Sequence, residues 1–275
     1  MARFSSFREP PARRFAPDVC VAFDPADIAR EWRCLEETGR ATVFQTRRWL
    51  ESLLRTTAPA EGAQAFFVLV RERTSAAPQM LLPLCLRRRE GLRAIEFLDL
   101  GASDYNAPLI ASDFRPSPGE FAALWSSIRV ALPPADILRI EKSPATIGGA
   151  PNPLAHLRFM RRLALGAWSV SLPQTREVYE REALSARFRK ELRRKRRRLE
   201  RCGALRLVRA RGVEDAIGML RELADMRRDR YAALGRHDIL GAGAFRAFYE
   251  DLLARGDGLA EIHALEVDGL RIAVQ

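Results

Sequence analysis

Lysine is nearly missing from this chain: Lys142, Lys190 and Lys195 are the lysines, and the rest of the 46 basic residues are arginines. With abundant Ala, Leu and Pro, that imbalance points to a GC-rich bacterial genome, so part of the arginine content is codon bias. A run of 18 apolar residues is also missing, and no membrane span is expected. Residues 1–18 are rich in Arg, Phe, Ser and Pro but lack the apolar stretch of a secretion signal; they read as a disordered lead-in. The cysteines Cys20, Cys34, Cys85 and Cys202 form no C-x-x-C pair. They read as free thiols in a reducing compartment, and a cytoplasmic protein is expected. His156, His237 and His263 lie far apart, with no H-E-x-x-H and no Cys at zinc spacing. No metal site is expected, and structural roles are favoured for all three, with His237 in GRHDIL the one that could face a site. G-x-S-x-G, G-x-x-x-x-G-K-[ST] and G-x-G-x-x-G do not occur, which leaves a serine nucleophile, a P-loop kinase and a dinucleotide enzyme unsupported.

What is present begins with charge. The chain has 275 residues, 47% of them hydrophobic, and a net charge of +11. That length and content can bury a sizeable core, with two domains a fair expectation, and the charge favours acidic ligands or surfaces. Most of it is concentrated in 187–201, RFRKELRRKRRRLER, where ten of fifteen residues are basic and two are Glu, a local +8. Leu184, Phe188, Leu192 and Leu199 fall at spacings of four, four and seven, one stripe of an α-helix. The stripe is expected to dock on a core while the other faces carry the arginines. Like-charge pairs four apart cost roughly 0.2–0.5 kcal/mol each, opposed by the mixed pairs 187/191, 191/195 and 196/200. The net penalty of about 1 kcal/mol is one that a docked apolar stripe offsets. Ser185 can cap this helix and Gly203 can stop it. Two readings stay open: a solvated basic face, or a surface that meets phosphate on a small molecule or on nucleic acid.

The remaining periodicities alternate between strand and helix. A helix is expected from the Asp24 cap through Ile28, Trp32 and Leu35 to Gly39, and a second carries Trp49, Leu50, Leu53 and Leu54. Strands are predicted at 65–70, 79–86 and 93–100. The loop GASDYNAPL follows, then a helix at 121–130, a strand at 137–141 and the loop SPATIGGAPNP. A second alternating unit begins at 167–172. It continues through the basic helix, a strand at 204–210, helices at 214–234 and 244–254, and a hairpin of 259–267 with 270–275 about Asp268-Gly269. The reading is an α/β protein with two units in tandem, 19–166 and 167–275, each a mixed sheet flanked by helices, the second incomplete. In the loop Ser103-Asp104-Tyr105-Asn106, Asp and Asn offer partners for hydroxyls, and Tyr an aromatic face with a polar tip. That mix suits a sugar or peptide, and it also suits a turn.

Several of these stretches, in this order, resemble one family. They are FQTRRWL, the strand into GASDYNAPL, NPL at 152–154, FRKELRRKRRRLERCGALRL, and FRAFYEDLLARG followed by LAEIHALEVDGLRIA. Together they are similar to the CelD/BcsL-like acetyltransferases associated with cellulose and other exopolysaccharide production, a GNAT-superfamily group related to the FemABX transferases. The resemblance runs from about residue 22 to the end. It implies two GNAT-like units and acyl transfer from acetyl-CoA or another acyl-CoA, as co-substrate, to a polysaccharide or sugar-linked acceptor. The family's basic-helix motif maps onto Arg187, Arg189, Arg193 and Arg194, and its D-Y loop onto Asp104 and Tyr105, with Asn106 beside them as a further acceptor-binding candidate. The general base is not assigned. The alternatives are a FemABX-like transferase using aminoacyl-tRNA, and a non-catalytic nucleic-acid-binding or scaffold protein. Against nucleic acid, Phe188 is the one aromatic on the basic helix, too few for a stacking platform. Arg255-Gly-Asp-Gly-Leu-Ala260 fits the R-x-x-G-x-A pyrophosphate loop of GNAT enzymes. Here a helix precedes it and a strand follows, so an ordinary turn is expected. The family continues past Gln275 into segments that should hold the acyl donor; a truncated second unit with weak acetyl-CoA binding is the corresponding expectation.

Overall fold

The computed structural model describes residues 17–164, 166 and 170–275. Most of the expected lead-in lies outside them, but Pro17 and Asp18 open a strand that the sequence reading did not anticipate. In chain order the elements are β1 (Pro17–Ala22), α1 (Ala29–Thr38), α2 (Arg47–Arg55) and the short α3 (Thr57–Ala60). Next come β2 (Gln64–Glu72), β3 (Pro78–Arg89), β4 (Leu92–Phe97), β5 (Leu109–Ile110), α4 (Pro118–Ala131) and β6 (Ile137–Arg139). After the small ladder of β7 (Thr146–Ile147) and β8 (Ala150–Pro151), the chain forms α5 (Arg176–Glu182), α6 (Ala186–Glu200) and β9 (Leu205–Arg209). It closes with α7 (Gly212–Ala233), α8 (Gly243–Ala254), β10 (His263–Val267) and β11 (Leu270–Val274).

Two compact units result. The first comprises the described residues up to Arg47 with Gln64–Leu98 and Ser103–Met160. Its sheet has the order β1-β2-β3-β4-β6, with β5 on β3. All pairings are antiparallel except β4 with β6, so the sheet is mixed. Phe66, Phe67, Val68, Leu69 and Val70 are all fully buried; a strand apolar at every position has both faces covered. Trp32 of α1 lies on Phe67 with ring centroids 4.9 Å apart. Helix α4 starts at a capping box in which Ser117 and Glu120 each bond the other's backbone N–H. It buries Phe121, Leu124, Trp125 and Ile128, one helical face. The strand expected over 93–100 ends at Phe97, because Leu100 and Gly101 take φ of 47° and 90° and turn the chain.

Helix α1 is tied to β2 by Arg71, whose guanidinium lies 2.6 Å from Glu31. That hydrogen bond is the main reason the Glu31 carboxyl sits below its ordinary value, with burial opposing it. A depressed carboxyl contributes stability above its unfolded-state pKa and loses that contribution as pH falls through the folded one. The loss is expected below about pH 4.3, and Glu31→Gln should flatten that acid limb in thermal melts across pH. An acid limb unchanged by the substitution would show that the pair contributes nothing.

The second unit comprises Arg48–Ala63, Asp99–Ala102 and Arg161–Gln275. The inclusion of Arg48–Ala63 interrupts the 19–166 unit expected from sequence. Trp49 of α2 meets Phe248 of α8 edge-on at 5.0 Å. Arg55 bonds Asp251 at 2.7 Å, and Arg255 bonds Glu51 at 3.2 Å. The sheet order is β11-β10-β9, antiparallel throughout. One core of the unit joins Ala216, Met219 and Leu220 of α7 and Leu253 of α8 to Ile262 and Ala264. The Asp268-Gly269 hairpin forms as expected, with φ of 50° and 80° at the two corner residues. Asp268 reaches back to accept the Ala204 N–H at 2.7 Å. A Cβ on Gly203 would collide with that carboxylate, so Gly203 is required for the close approach, whereas α6 itself ends at Glu200 with Arg201 as its cap.

The expected strand start at 167–172 lies partly outside the described residues; 170–172 are not strand, and Val170 and Leu172 are exposed. A larger correction concerns α6. The helix forms as predicted, capped by Ser185, whose hydroxyl accepts from the Phe188 N–H at 3.2 Å. Its apolar stripe, however, does not dock: α6 buries no residue, and Phe188 and Leu192 are 45% and 43% exposed. The stripe carries three apolar residues, since Leu184 lies before the Ser185 cap and off the helix, and a Glu191–Lys195 pair lies beside it. So narrow and interrupted a face does not compel burial.

Candidate functional site

The loop singled out in the first unit is fixed by residues distant in sequence. Gln45 is 3% exposed, and its amide donates to the Tyr105 carbonyl at 2.9 Å. Its oxygen accepts from the Thr42 N–H at 3.2 Å and the Thr42 hydroxyl at 2.7 Å. The Phe44 and Tyr105 rings lie 6.0 Å apart. Thus FQTRRWL and GASDYNAPL, separate in the sequence, meet in the fold. From the other side, Lys142 Nζ donates to the Ser103 carbonyl at 2.9 Å, and the Asn106 N–H donates to the Lys142 carbonyl at 3.0 Å. The backbone of 103–106 is therefore held at three points before any ligand arrives, the preorganisation a binding loop needs.

Within that frame the candidates separate. Asp104 is exposed and Tyr105 half-buried, so both are available to an acceptor. Asn106 is 5% exposed, and its amide donates to the Glu141 carbonyl at 3.2 Å; it knits the loop to 141–142. The neighbouring Asn152, wholly buried, does similar work. Its amide bonds Ser143 Oγ and the Pro144 carbonyl, while its oxygen accepts from the Leu154 N–H. NPL is thus a structural element. Sequence reasoning missed Gln45 and Lys142. Gln45 was within reach, because T-x-x-Q is a capping-box spacing. Nothing local marked Lys142, whose role depends on a carbonyl 39 positions away.

In the second unit the four candidate arginines also separate. Arg189 donates to the Glu180 and Arg181 carbonyls at 2.8 and 3.2 Å, closing the C-terminal end of α5 with a cation, as the helix dipole favours. Arg187, Arg193 and Arg194 are exposed and make no ion pair among the described residues. The acidic residues of α6 are engaged elsewhere: Glu191 with Lys195 at 3.1 Å and Glu200 with Arg196 at 2.8 Å. Arg193 and Arg194 therefore present positive charge to solvent without an internal counter-ion.

Residues 186–275 match the family model described as an acetyltransferase (GNAT) domain. The match begins at α6 and runs through β9, α7, α8, β10 and β11, about a third of the chain. No curated protein and no solved structure matches the chain. A GNAT domain supports acyltransferase activity with acetyl-CoA as co-substrate. The mixed α/β architecture agrees with that assignment.

Two places in the GNAT-matched segment could be asked to hold the donor pyrophosphate. The 255–260 stretch leaves α8 and leads toward strand β10, so it is the turn the sequence predicted. At the start of α7, the Asp215 carboxylate, paired with Arg271 at 2.7 Å, already accepts the Arg211 N–H at 2.8 Å, so that donor is taken. Neither place fits a pyrophosphate. A cavity of about 140 Å³ lies between them, lined by Arg209, Gly212, Val213, Gly256, Glu261 and others; the Arg209–Glu261 pair there, at 2.7 Å, is self-neutralising. His156 and His237 are exposed. His263 is half-buried, 3.9 Å from Glu261. No histidine is thereby singled out as a general base. Among the described residues no cluster of three or more potential metal ligands occurs, and no helix is long and apolar enough to cross a membrane.

Proposed function

We propose that the protein is an acyl-CoA-dependent acyltransferase of the GNAT type. Its acceptor is a sugar-linked molecule or polysaccharide, in cellulose or other exopolysaccharide production. The match of 186–275 to a GNAT acetyltransferase domain carries the reading. Support for the acceptor class is chemical. Asp104 and Tyr105 offer a carboxylate, a phenol and an aromatic face on a braced loop, groups that suit sugar hydroxyls and the apolar face of a sugar ring. Arg193 and Arg194 offer unpaired charge to a phosphate such as that of a nucleotide-linked sugar.

The test supplies acetyl-CoA with a nucleotide-linked sugar, a glucan oligosaccharide and charged tRNA as separate reactions, and detects the acylated acceptor by mass. Transfer to one of the carbohydrates is expected. Arg193→Glu with Arg194→Glu should raise KM for a phosphate-bearing acceptor by more than about tenfold. The melting temperature should hardly move, since exposed substitutions shift stability by about 0.5 kcal/mol or less. Transfer from aminoacyl-tRNA, with none from acetyl-CoA, would replace this reading by the aminoacyl one.

A further inference from the structure

Helix α6 combines two features that the acyl-transfer reading does not use together. Its apolar stripe is open: Phe188 and Leu192 are exposed and Leu199 half-buried. On a wheel of 3.6 residues per turn these three span roughly 40°. Arg187 and Arg198 border one edge of the stripe, and Arg189 and Arg196 border the other. We propose that this face docks on the surface of an anionic lipid bilayer. The helix would lie in the headgroup plane, with Phe188 and Leu192 entering the acyl boundary. Arg187 and Arg198, whose guanidiniums are not engaged among the described residues, would extend their stems along the apolar surface and place their charges on lipid phosphates.

Charge complementarity and the open stripe together select this partner. A local +8 over 187–201 is in the range at which basic segments bind anionic leaflets, each basic residue strengthening binding roughly fivefold. A nucleic-acid backbone would satisfy the arginines equally well. It would leave Phe188 and Leu192 in water, and one aromatic does not make a stacking platform. The acidic residues do not oppose docking, because Glu191 and Glu200 are neutralised within the helix. The Ser185 cap and the Arg189 contact with α5 hold α6 in place beforehand, so little conformational freedom is lost on contact.

The full chain, without acyl-CoA or acceptor, is titrated with vesicles of phosphatidylcholine and with vesicles that also contain phosphatidylglycerol, and bound protein is separated by flotation. Binding to the mixed vesicles should exceed binding to pure phosphatidylcholine by more than about a hundredfold. Arg198→Glu, at a position not assigned to the acceptor, should cost more than about tenfold. Phe188→Ser with Leu192→Ser should cost about tenfold while leaving far-ultraviolet circular dichroism unchanged. Vesicle binding indifferent to the loss of Phe188 and Leu192 would overturn the proposal. So would tRNA binding that is tighter than vesicle binding and equally indifferent to those two residues. Because no acyl donor is present, a failure of the acyltransferase reading would leave this result untouched.

Discussion

Glu96→Ala should destabilise the first unit by about 3–5 kcal/mol, among the largest effects expected of any single substitution in it. Glu96 on β4 bonds Arg87 on β3 at 2.7 Å, and the two side chains are only 10% and 5% exposed. Arg89 and Arg139 also approach the same carboxylate, at 3.4 and 3.7 Å. Removing the carboxylate takes a close counter-charge from the buried Arg87 guanidinium, and that loss dominates the outcome. Glu96→Gln should cost less, because an acceptor of the same shape remains. Glu96→Leu combined with Arg87→Met should recover most of the loss, since replacing both members of a buried pair by apolar groups is often neutral. Chemical denaturation of the four proteins checks the series. A loss below about 1 kcal/mol in Glu96→Ala would mean that water reaches the pair as it does at a surface.

The second large effect lies in the other unit. Phe248 is fully buried and makes edge contacts with Trp49 at 5.0 Å and Tyr249 at 5.1 Å. Phe248→Ala should cost about 3–5 kcal/mol. It should also loosen Arg48–Ala63, because Trp49 and Phe248 are packed together across α2 and α8. Leu192→Ala is the control. From its apolar character at helical spacing it would be expected to be a core truncation, costing about 2–5 kcal/mol. With 43% of Leu192 exposed, a change within about 0.5 kcal/mol is expected instead. Thermal unfolding, with hydrogen exchange across 48–63 as a local readout, separates the two. Equal losses from Phe248→Ala and Leu192→Ala would show that the α6 stripe is packed.

The sequence by itself determined the elements whose cause is local. The alternating and continuous apolar runs set β2 and β3, the Ser185 cap set the start of α6, and Asp268-Gly269 set the final hairpin. It also determined that a basic helix precedes an α/β segment, the segment that matches a GNAT domain. Burial was a different matter. Trp49, Leu50 and Leu53 announce a helix with an apolar stripe, but which core receives that stripe depends on the shape of α8, far along the chain. Leu192 announces the same kind of stripe and meets no core. Periodicity records which side chains share a face, while docking depends on a complementary surface that the periodicity does not describe. The loop at 103–106 divides in the same way. Its residue types suggested a polar site, but only the tertiary structure assigned Asn106 to bracing the loop and left Asp104 exposed. The groups that decided this, Gln45 and Lys142, act through backbone carbonyls, and a carbonyl has no residue type for a sequence to show.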